Sequence, residues 1–239
     1  VQVSIPKAEN EPDVDPDGPI IDPDPKPDPT EKWKGNYVWF GSYKGEPLKF
    51  RVLDTDSGAD FNTGNSYLLE YDSTINHKYN SEDTNNNVFK NEWMNDDSTG
   101  FLETFTSVEK STIASSTKTG VSATDGAGLA GKLSDKTQLK DTKVFALSVG
   151  EATNTSYGYP DTIQASMQRV KGTGYNLRST YAPPNYHIVG SYVTSDGQLD
   201  NVYDFQCRTS PAMNINKDAV LFTNLVAGKA GTYGAEYKL

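Results

Sequence analysis

Alternating apolar and polar positions predict three β-strands soon after residue 30. Bulky residues alternate through Tyr37–Tyr43, and apolar residues alternate with basic ones through Leu48–Leu53, as in strands with one face toward a core. The intervening Lys44–Pro47 carries turn-forming residues, so these two strands are predicted to form a hairpin. The same reasoning predicts a third strand at Ser66–Tyr71.

The hydrophobic period changes from two to that of a helix in the middle of the chain. Residues predicted to share helical faces are Val88, Phe89, Trp93 and Met94, followed by Phe101, Leu102 and Phe105. A helix is predicted to begin at Ser107, capped by its hydroxyl, and another to cover Asp161–Val170. Ser148–Glu151 has the spacing of a capping box and predicts one further short helix.

The last part of the chain returns to short strands. They are predicted at Lys143–Ser148, Tyr175–Ser179, His187–Thr194, Gln198–Tyr203 and Val220–Thr223. Ser195–Gly197 is a suitable hairpin turn before the strand that begins at Gln198. Strands, then helices, then strands predict an α+β fold with a helical middle, and not a doubly wound sheet.

The first 30 residues have a different composition from the rest. Eight of the 13 prolines precede Glu31, and they alternate with aspartates. Proline fixes its backbone angle and the aspartates repel one another, so this segment is predicted to be a disordered, extended spacer that spans roughly 60 Å at about 3.1 Å per residue. We therefore divide the chain into a Pro/Asp-rich linker, residues 1–30, and one globular domain, residues 31–239.

Charge and cysteine content narrow the class of protein. The formal net charge is -10, and no Lys/Arg stripe is present that would neutralise phosphates, so nucleic acid is excluded as an expected partner. No apolar run is long enough to span a bilayer. A single cysteine, Cys207, excludes an internal disulfide. Spacer and composition together lead us to expect part of a larger multidomain protein on a bacterial surface.

Several motifs resemble a domain family of secreted proteins from Gram-positive gut bacteria, DUF6273. They are Tyr37-x-x-Phe40-Gly41-x-Tyr43, Trp93-Met94-Asn95, Val144-Phe145-x-Leu147-Ser148-x-x-Glu151-Ala152, Leu177-Arg178-Ser179, Val193-x-x-Asp196-Gly197 and Pro211-Ala212-Met213-Asn214-Ile215-Asn216. The resemblance covers about residues 35–225. It departs from the family pattern at Tyr175-Asn176, which replaces an aromatic pair, and at Thr209-Ser210, which follows Arg208 where the family has proline.

The resemblance implies a domain carried on large secreted or wall-attached proteins, and it implies no established reaction. The family pattern is itself similar to C-type-lectin-like folds, in which the chain termini pair as strands and long loops carry recognition. By that analogy the fold is expected to be C-type-lectin-like, with short strands and long loops.

The candidate ligand-binding residues lie in the C-terminal loops and strands. They are Arg178, Tyr181, Tyr186, His187, Tyr192, Phe205 and Arg208. Tyrosine offers a broad apolar face and a hydroxyl at low entropic cost, which suits glycan stacking or protein contact. The alternative is structural: the aromatic residues belong to the core or strands, and the arginines bind loop carbonyls through their five donors.

Acidic clusters suggest candidates for calcium binding. Asp54, Asp56 and Asp60 could gather oxygen ligands, and residues 13–24 have the oxygen spacing of an EF-hand loop. The simpler interpretations are an acidic loop tip for the former and a solvated spacer for the latter, because prolines forbid the flanking helices. No cofactor or metal is therefore expected, with calcium as the alternative.

These observations favour a binding or adhesion module that recognises a glycan or a protein at the cell surface. An enzyme is not the expectation, because the only cysteine–histidine combination near the C-terminus, Cys207 with His187, is more simply a buried thiol beside a strand residue. Two alternatives remain: a glycan hydrolase, whose carboxylates cannot be selected from 32 acidic residues, and a structural display module without a ligand.

Overall fold

The computed structural model describes residues 28–56, 64–77, 92–118, 132–133, 138–182, 189–202, 208–219, 224–229, 232 and 234–239. Within them the strands are β1 (Tyr37–Tyr43), β2 (Glu46–Asp54), β3 (Ser66–Tyr71), β4 (Ile113–Ala114), β5 (Ser116–Lys118), β6 (Lys132–Leu133), β7 (Leu139–Thr142), β8 (Val144–Phe145), β9 (Tyr175–Ala182), β10 (Val189–Val193), β11 (Leu199–Val202), β12 (Arg208–Thr209), β13 (Ala212–Asn216), β14 (Asn224–Ala227) and β15 (Glu236–Lys238). The helices are α1 (Glu92–Asn95) and α2 (Ser107–Thr112), and short 3-10 turns cover Glu151–Thr153, Thr155–Tyr157 and Lys217–Ala219.

A large central sheet organises the molecule. Its strands follow the order β14-β15-β1-β2-β3-β13-β4, and β8 also pairs with β13. Strands β1, β2 and β3 form an antiparallel meander with the first turn at Lys44–Gly45, which confirms the predicted hairpin and third strand. The last strand, β15, lies parallel to β1, so the two ends of the domain meet in the middle of the sheet.

Both faces of the central sheet are buried over much of its width. On one face, apolar side chains of β1, β2, β3 and β13 pack with α1, the turn after it and the start of β4. On the other, Leu53, Leu68 and Ala212 pack against residues of a second sheet such as Tyr175 and Leu177. The predicted single buried face is found in β1, where buried and half-buried residues alternate. In β2 the prediction is wrong, because residues 50–53 are all buried and a second layer covers the other side.

The second sheet has the order β11-β10-β9-β12, with β6 also paired to β9. Strands β10 and β11 form the predicted hairpin, and Gly197 occupies its turn with φ 85°. A positive φ is accessible to glycine at little cost, which explains the residue at this position. A separate two-stranded ribbon pairs β5 with β7.

The predicted α+β fold with a helical middle is wrong, because the structure is mostly β. Helix α1 has four residues and α2 has six. Phe101, Leu102 and Phe105 are buried, but they lie in a run of turns and not in a helix. These three residues pack with β1 and β2, so long-range contacts determine their positions and local helical spacing does not. Residues Val88 and Phe89 lie outside the described part.

The start of α2 also differs from the prediction by one residue. Thr106, and not Ser107, is the N-cap: its hydroxyl accepts from the Glu109 amide, and the Glu109 carboxylate accepts from the Thr106 amide at 2.7 Å. This reciprocal pair is a capping box. The box predicted at Ser148–Glu151 is confirmed, since Ser148 N and Glu151 N each bind the other side chain and a 3-10 turn follows.

No helix forms over the described residues Asp161–Val170, where one was predicted. Tertiary partners take the backbone groups that a helix would need: the Met167 amide donates to the Pro29 carbonyl at 2.8 Å, and the Gln164 carbonyl accepts from the Arg169 side chain. The predicted strand Lys143–Ser148 shortens to β8, because the Leu147 carbonyl accepts from the Arg178 amide outside the central sheet. The predicted strand at 220–223 lies outside the described residues.

Candidate functional site

Four charged or hydroxylated side chains meet between the two sheets. We call Arg51, Glu70, Tyr159 and Lys171 the ionic centre; all four are buried. Arg51 and Glu70 are partners in the register of β2 and β3. Cross-strand partners project from the same face of a sheet, which places both side chains toward the second layer.

Lys171 binds Glu70 and two further oxygen atoms. Its Nζ lies 2.7 Å from Glu70 Oε1, and donates to the Tyr71 carbonyl and to Ser210 Oγ, each at 2.7 Å. An ammonium group has three donors, so these contacts satisfy all of them. The Tyr175 ring also lies below the ammonium, with its centroid 4.8 Å away.

Glu70 and Arg51 are linked through Tyr159. The Tyr159 hydroxyl donates to Glu70 Oε2 and lies 3.3 Å from Arg51 Nη1. Arg51 Nε donates to Asp72 Oδ1 at 2.6 Å, and the guanidinium packs 5.4 Å from the Trp33 ring centroid. Together with the adjoining Asp72, the centre therefore contains two cations and two carboxylates, which balances its charge within a largely water-excluded layer.

Burial perturbs the titration of these groups. Desolvation lowers the pKa of Lys171 to about 8, although Glu70 opposes that effect. Desolvation, with a contribution from Glu70, raises the pKa of Tyr159 and of Tyr175 well above the usual value. Desolvation disfavours the Arg51 cation, but the neighbouring Tyr159, Asp72 and Glu70 raise its pKa overall. Both tyrosines thus stay protonated at neutral pH, and the Tyr159 hydroxyl remains a donor to Glu70.

The ionic centre joins the layers of the fold. Each donor of Lys171 is engaged by a protein atom, and Glu70 is only 1% exposed. The role of the ionic centre is therefore structural. Sequence reasoning missed this cluster, although charged residues stood at Arg51 and Glu70 within predicted strands. The available signal was Glu70, an ionisable residue directly after the apolar run of β3.

A second buried ion pair involves a residue predicted to bind ligand. Arg178 Nη2 lies 2.8 Å from Glu151 Oε1, with side chains 2% and 8% exposed. The Glu151 Oε2 atom accepts from the Ser148 amide at 2.6 Å, and the Val149 amide donates to Ser179 Oγ at 2.9 Å. The register between β9 and β10 shifts beside Arg178, as at a β-bulge. Arg178 thus holds the turn at Ser148–Glu151 against β9.

A different arginine binds loop carbonyls through several donors. Arg169 is fully buried and donates to the carbonyl oxygens of Gly197, Ala152, Pro160 and Gln164. The sequence interpretation considered this role for Arg178 and Arg208 and did not select Arg169. No periodic pattern could have selected it, because its partners come from three separate segments of the chain.

The predicted ligand-binding residues are placed in different environments. Tyr181 is fully buried and has no exposed face, while Tyr192 on β10 and Arg208 on β12 are half-buried. Tyr186, His187 and Phe205 lie outside the described residues.

Tyr192 occupies the centre of a row that crosses three neighbouring strands of the second sheet, β11, β10 and β9. Its register partners are Asp200 on β11 and Asn176 on β9. Residues directly opposite in antiparallel strands share a face, so these three form one lateral row, which we call the Tyr192 row. Asp200 is exposed, Tyr192 half-buried and Asn176 buried.

The strand ends that flank the predicted recognition loops lie together. Tyr181 pairs with Val189 and with Leu133, and Gly190 pairs with Val202. The end of β9, the start of β10 and the end of β11 therefore lie side by side at the same end of these strands. The chain segments 183–188 and 203–207, which follow β9 and β11, themselves lie outside the described residues.

The calcium candidates are only partly described. Asp54 Oδ1 accepts from the Asp56 amide at 2.8 Å, and Asp56 Oδ1 lies 3.5 Å from Lys217 Nζ. Asp60 and residues 13–24 lie outside the described part. Within the described ranges, no group of three or more His, Cys, Asp or Glu residues is placed to hold a metal ion. None of the described helices has the length and apolar character needed to cross a membrane.

Comparison with known proteins identifies the family. No curated protein and no solved structure matches the chain. Residues 63–217 match the model of a family described as a domain of unknown function, DUF6273. The match spans more than half of the chain, from before β3 to after β13, and contains three of the four residues of the ionic centre, the Glu151–Arg178 pair and the Tyr192 row. The chain therefore belongs to the DUF6273 family.

Proposed function

We propose that this chain is the binding module of a bacterial cell-surface protein and that it recognises a glycan or a protein through the Tyr192 row and the adjoining loops. The observation that carries the proposal is the row itself. The half-buried ring of Tyr192 lies beside the exposed carboxylate of Asp200 on β11, and the buried Asn176 on β9 ends the row on its other side. A ring that stacks on an apolar face, beside a group that binds hydroxyl or amide groups, is a common arrangement in ligand sites.

The distribution of charge supports binding over catalysis. The carboxylates that are buried in the described part are engaged with cations: Glu70 with Lys171, and Glu151 with Arg178. Their positions in the core suit a rigid support for a recognition surface. The exposed Asp200 and half-buried Tyr192 belong to the sheet that this support holds.

The test is a glycan and host-protein array probed with the full chain, once with calcium and once with a chelator. We expect reproducible binding to at least one class of ligand, and the chelator arm tests the calcium hypothesis for Asp54, Asp56 and Asp60. Tyr192→Ala should weaken that binding by about tenfold or more, the effect of losing an aromatic anchor. Tyr192→Phe, which keeps the ring, should retain most of it.

Val108→Ala is the control for general surface changes, because Val108 is 72% exposed and lies on α2, outside the second sheet. Circular dichroism at the assay temperature shows whether each variant is folded. Binding that Tyr192→Ala leaves unchanged would contradict the site, and an array without any binding by the folded chain would contradict the proposed function.

A further inference from the structure

The two terminal strands of the domain lie side by side and run in the same direction. Tyr37, Val38 and Trp39 of β1 pair with Glu236, Tyr237 and Lys238 of β15. In a parallel pair, the start of one strand and the end of the other lie at opposite ends. The chain therefore enters β1 at one end of this pair and leaves β15 at the other.

Backbone and side-chain hydrogen bonds connect the two strands. The Tyr37 amide donates to the Ala235 carbonyl at 2.9 Å, and the Leu239 amide donates to the Trp39 carbonyl at 3.2 Å. Trp39 Nε1 donates to Glu236 Oε2 at 2.9 Å, which adds a side-chain bond between the strands.

Lys49 of β2 reinforces the same pair from the neighbouring strand. Its ammonium binds the Glu236 carboxylate and lies 4.0 Å from the centroid of the Tyr37 ring. Below the sheet, Val38 and Tyr237 are buried together in the core. Side chains from three strands thus hold β1 and β15 together.

Neither terminal strand is at the edge of the central sheet. Strand β15 lies between β14 and β1, and β1 lies between β15 and β2. Detaching either strand therefore requires breaking hydrogen bonds on both of its sides.

We propose that the β1–β15 pair is a mechanical clamp that keeps the domain folded when the chain is pulled at its two ends. Opposite forces on the ends run along both strands, so the bonds between them are loaded in shear and must break together. Pulling from one end of a strand pair would break them one at a time. This mechanical role is additional to ligand recognition and does not depend on it.

The segment that precedes β1 is also held to the rest of the fold by hydrogen bonds. The carbonyls of Asp28 and Pro29 accept from Gln168 Nε2 and the Met167 amide, and Trp33, which is 5% exposed, donates from Nε1 to the Tyr157 carbonyl at 2.9 Å. A force applied through the preceding Pro/Asp-rich residues must therefore break the hydrogen bonds of residues 28–33 before it acts on Tyr37.

Single-molecule force spectroscopy on the full chain tests the clamp. In one geometry the handles are attached at the two chain ends, which shears β1 against β15. In the other, the handles are at the C-terminus and at an azide-bearing residue in place of exposed Glu46, next to the β1–β2 turn. That placement pulls the pair apart from one end. We expect a higher unfolding force in the first geometry, and equal or lower force there would overturn the proposal.

A substitution within the clamp gives an independent measurement. Trp39→Phe keeps an aromatic ring and removes the donor to Glu236. We expect about fivefold faster unfolding at constant end-to-end force, the loss of a hydrogen bond of about 1 kcal/mol at 1.4 kcal/mol per tenfold. Asp56→Asn, which breaks the ion pair with Lys217 outside the clamp, should leave that rate unchanged. Equal rates for Trp39→Phe and the unsubstituted chain would contradict the clamp.

Discussion

Gly41 in β1 lies directly against the ring of Phe105. A Cβ atom built on Gly41 would be 2.3 Å from Phe105 Cε1, and the residue has φ 67°. The register between β1 and β2 shifts at this point, so the strand bulges where the ring packs. Glycine is required here for two separate reasons, the backbone angle and the space that the ring occupies.

Gly41→Ala should therefore cost more stability than Gly45→Ala. Gly45 also has a positive φ, 85°, but nothing lies within 4 Å of its added Cβ. The backbone term of about 1–2 kcal/mol applies to both variants, and overpacking adds about 1–3 kcal/mol at Gly41 alone. Urea denaturation measures the difference, and equal losses in the two variants would contradict the contact with Phe105.

Breaking the Lys171–Glu70 pair should strongly destabilise the domain. Lys171→Met leaves the Glu70 carboxylate buried without its cation, which we expect to cost about 3–5 kcal/mol of unfolding free energy. Lys34→Met removes the exposed pair with Glu31 and should cost about 1 kcal/mol or less. Denaturant titrations of both variants check this, and similar costs for the two would show that the ionic centre adds little.

Stability should fall at high pH because buried tyrosines hold their protons. Burial raises the pKa of Tyr37 to about 12, and burial raises the pKa of Tyr159 and Tyr175 well above the usual value near 10. Above pH 10 the unfolded chain releases these protons and the folded chain keeps them, so the unfolding free energy decreases with pH. Tyr159→Phe should reduce that slope; an unchanged slope would contradict the assignment to Tyr159.

Lys171 should make the unfolding free energy increase with pH, in a lower pH range than the decrease caused by the tyrosines. Burial lowers its pKa to about 8 from a usual value of 10.5, so between these values the unfolded chain binds more protons than the folded chain. Its contribution to stability therefore rises from pH 8 to pH 10.5. The unfolding free energy of the unsubstituted chain, measured relative to Lys171→Met, should increase over that window. A constant difference would show that the Lys171 pKa is not lowered.

The two arginines in the family motifs should behave differently. Arg178→Met removes the buried partner of Glu151, and we expect a loss of about 3–5 kcal/mol. Arg208 is half-buried at the start of β12, and Arg208→Met should cost about 1 kcal/mol or less. Thermal and urea unfolding of both variants provide the comparison. A small effect at Arg178 would argue against its structural role and return it to the ligand-binding candidates.

Local sequence patterns were sufficient for the first three strands and the hairpin turn at Gly197. In these segments, residues that contact one another are close in the sequence, so period-two alternation locates the strands, although both faces of β2 and β3 are buried at several positions. The family motifs were likewise visible in short segments, and the match over residues 63–217 confirms the family. The capping box at Ser148–Glu151 was predictable for the same reason, since both partners are three residues apart.

Only the tertiary structure determined the conformation of the middle of the chain, the ionic centre and the clamp. Helical spacing around Phe101 did not produce a helix because β1 and β2 supplied the packing surface for these aromatic residues. The ionic centre depends on bringing Glu70 and Lys171 together across about a hundred residues of chain, and the clamp depends on bringing Tyr37 to Glu236. Such pairs form when distant segments of the chain pack together and exclude water. The periodic pattern of one strand contains no information about which distant segment will cover that strand.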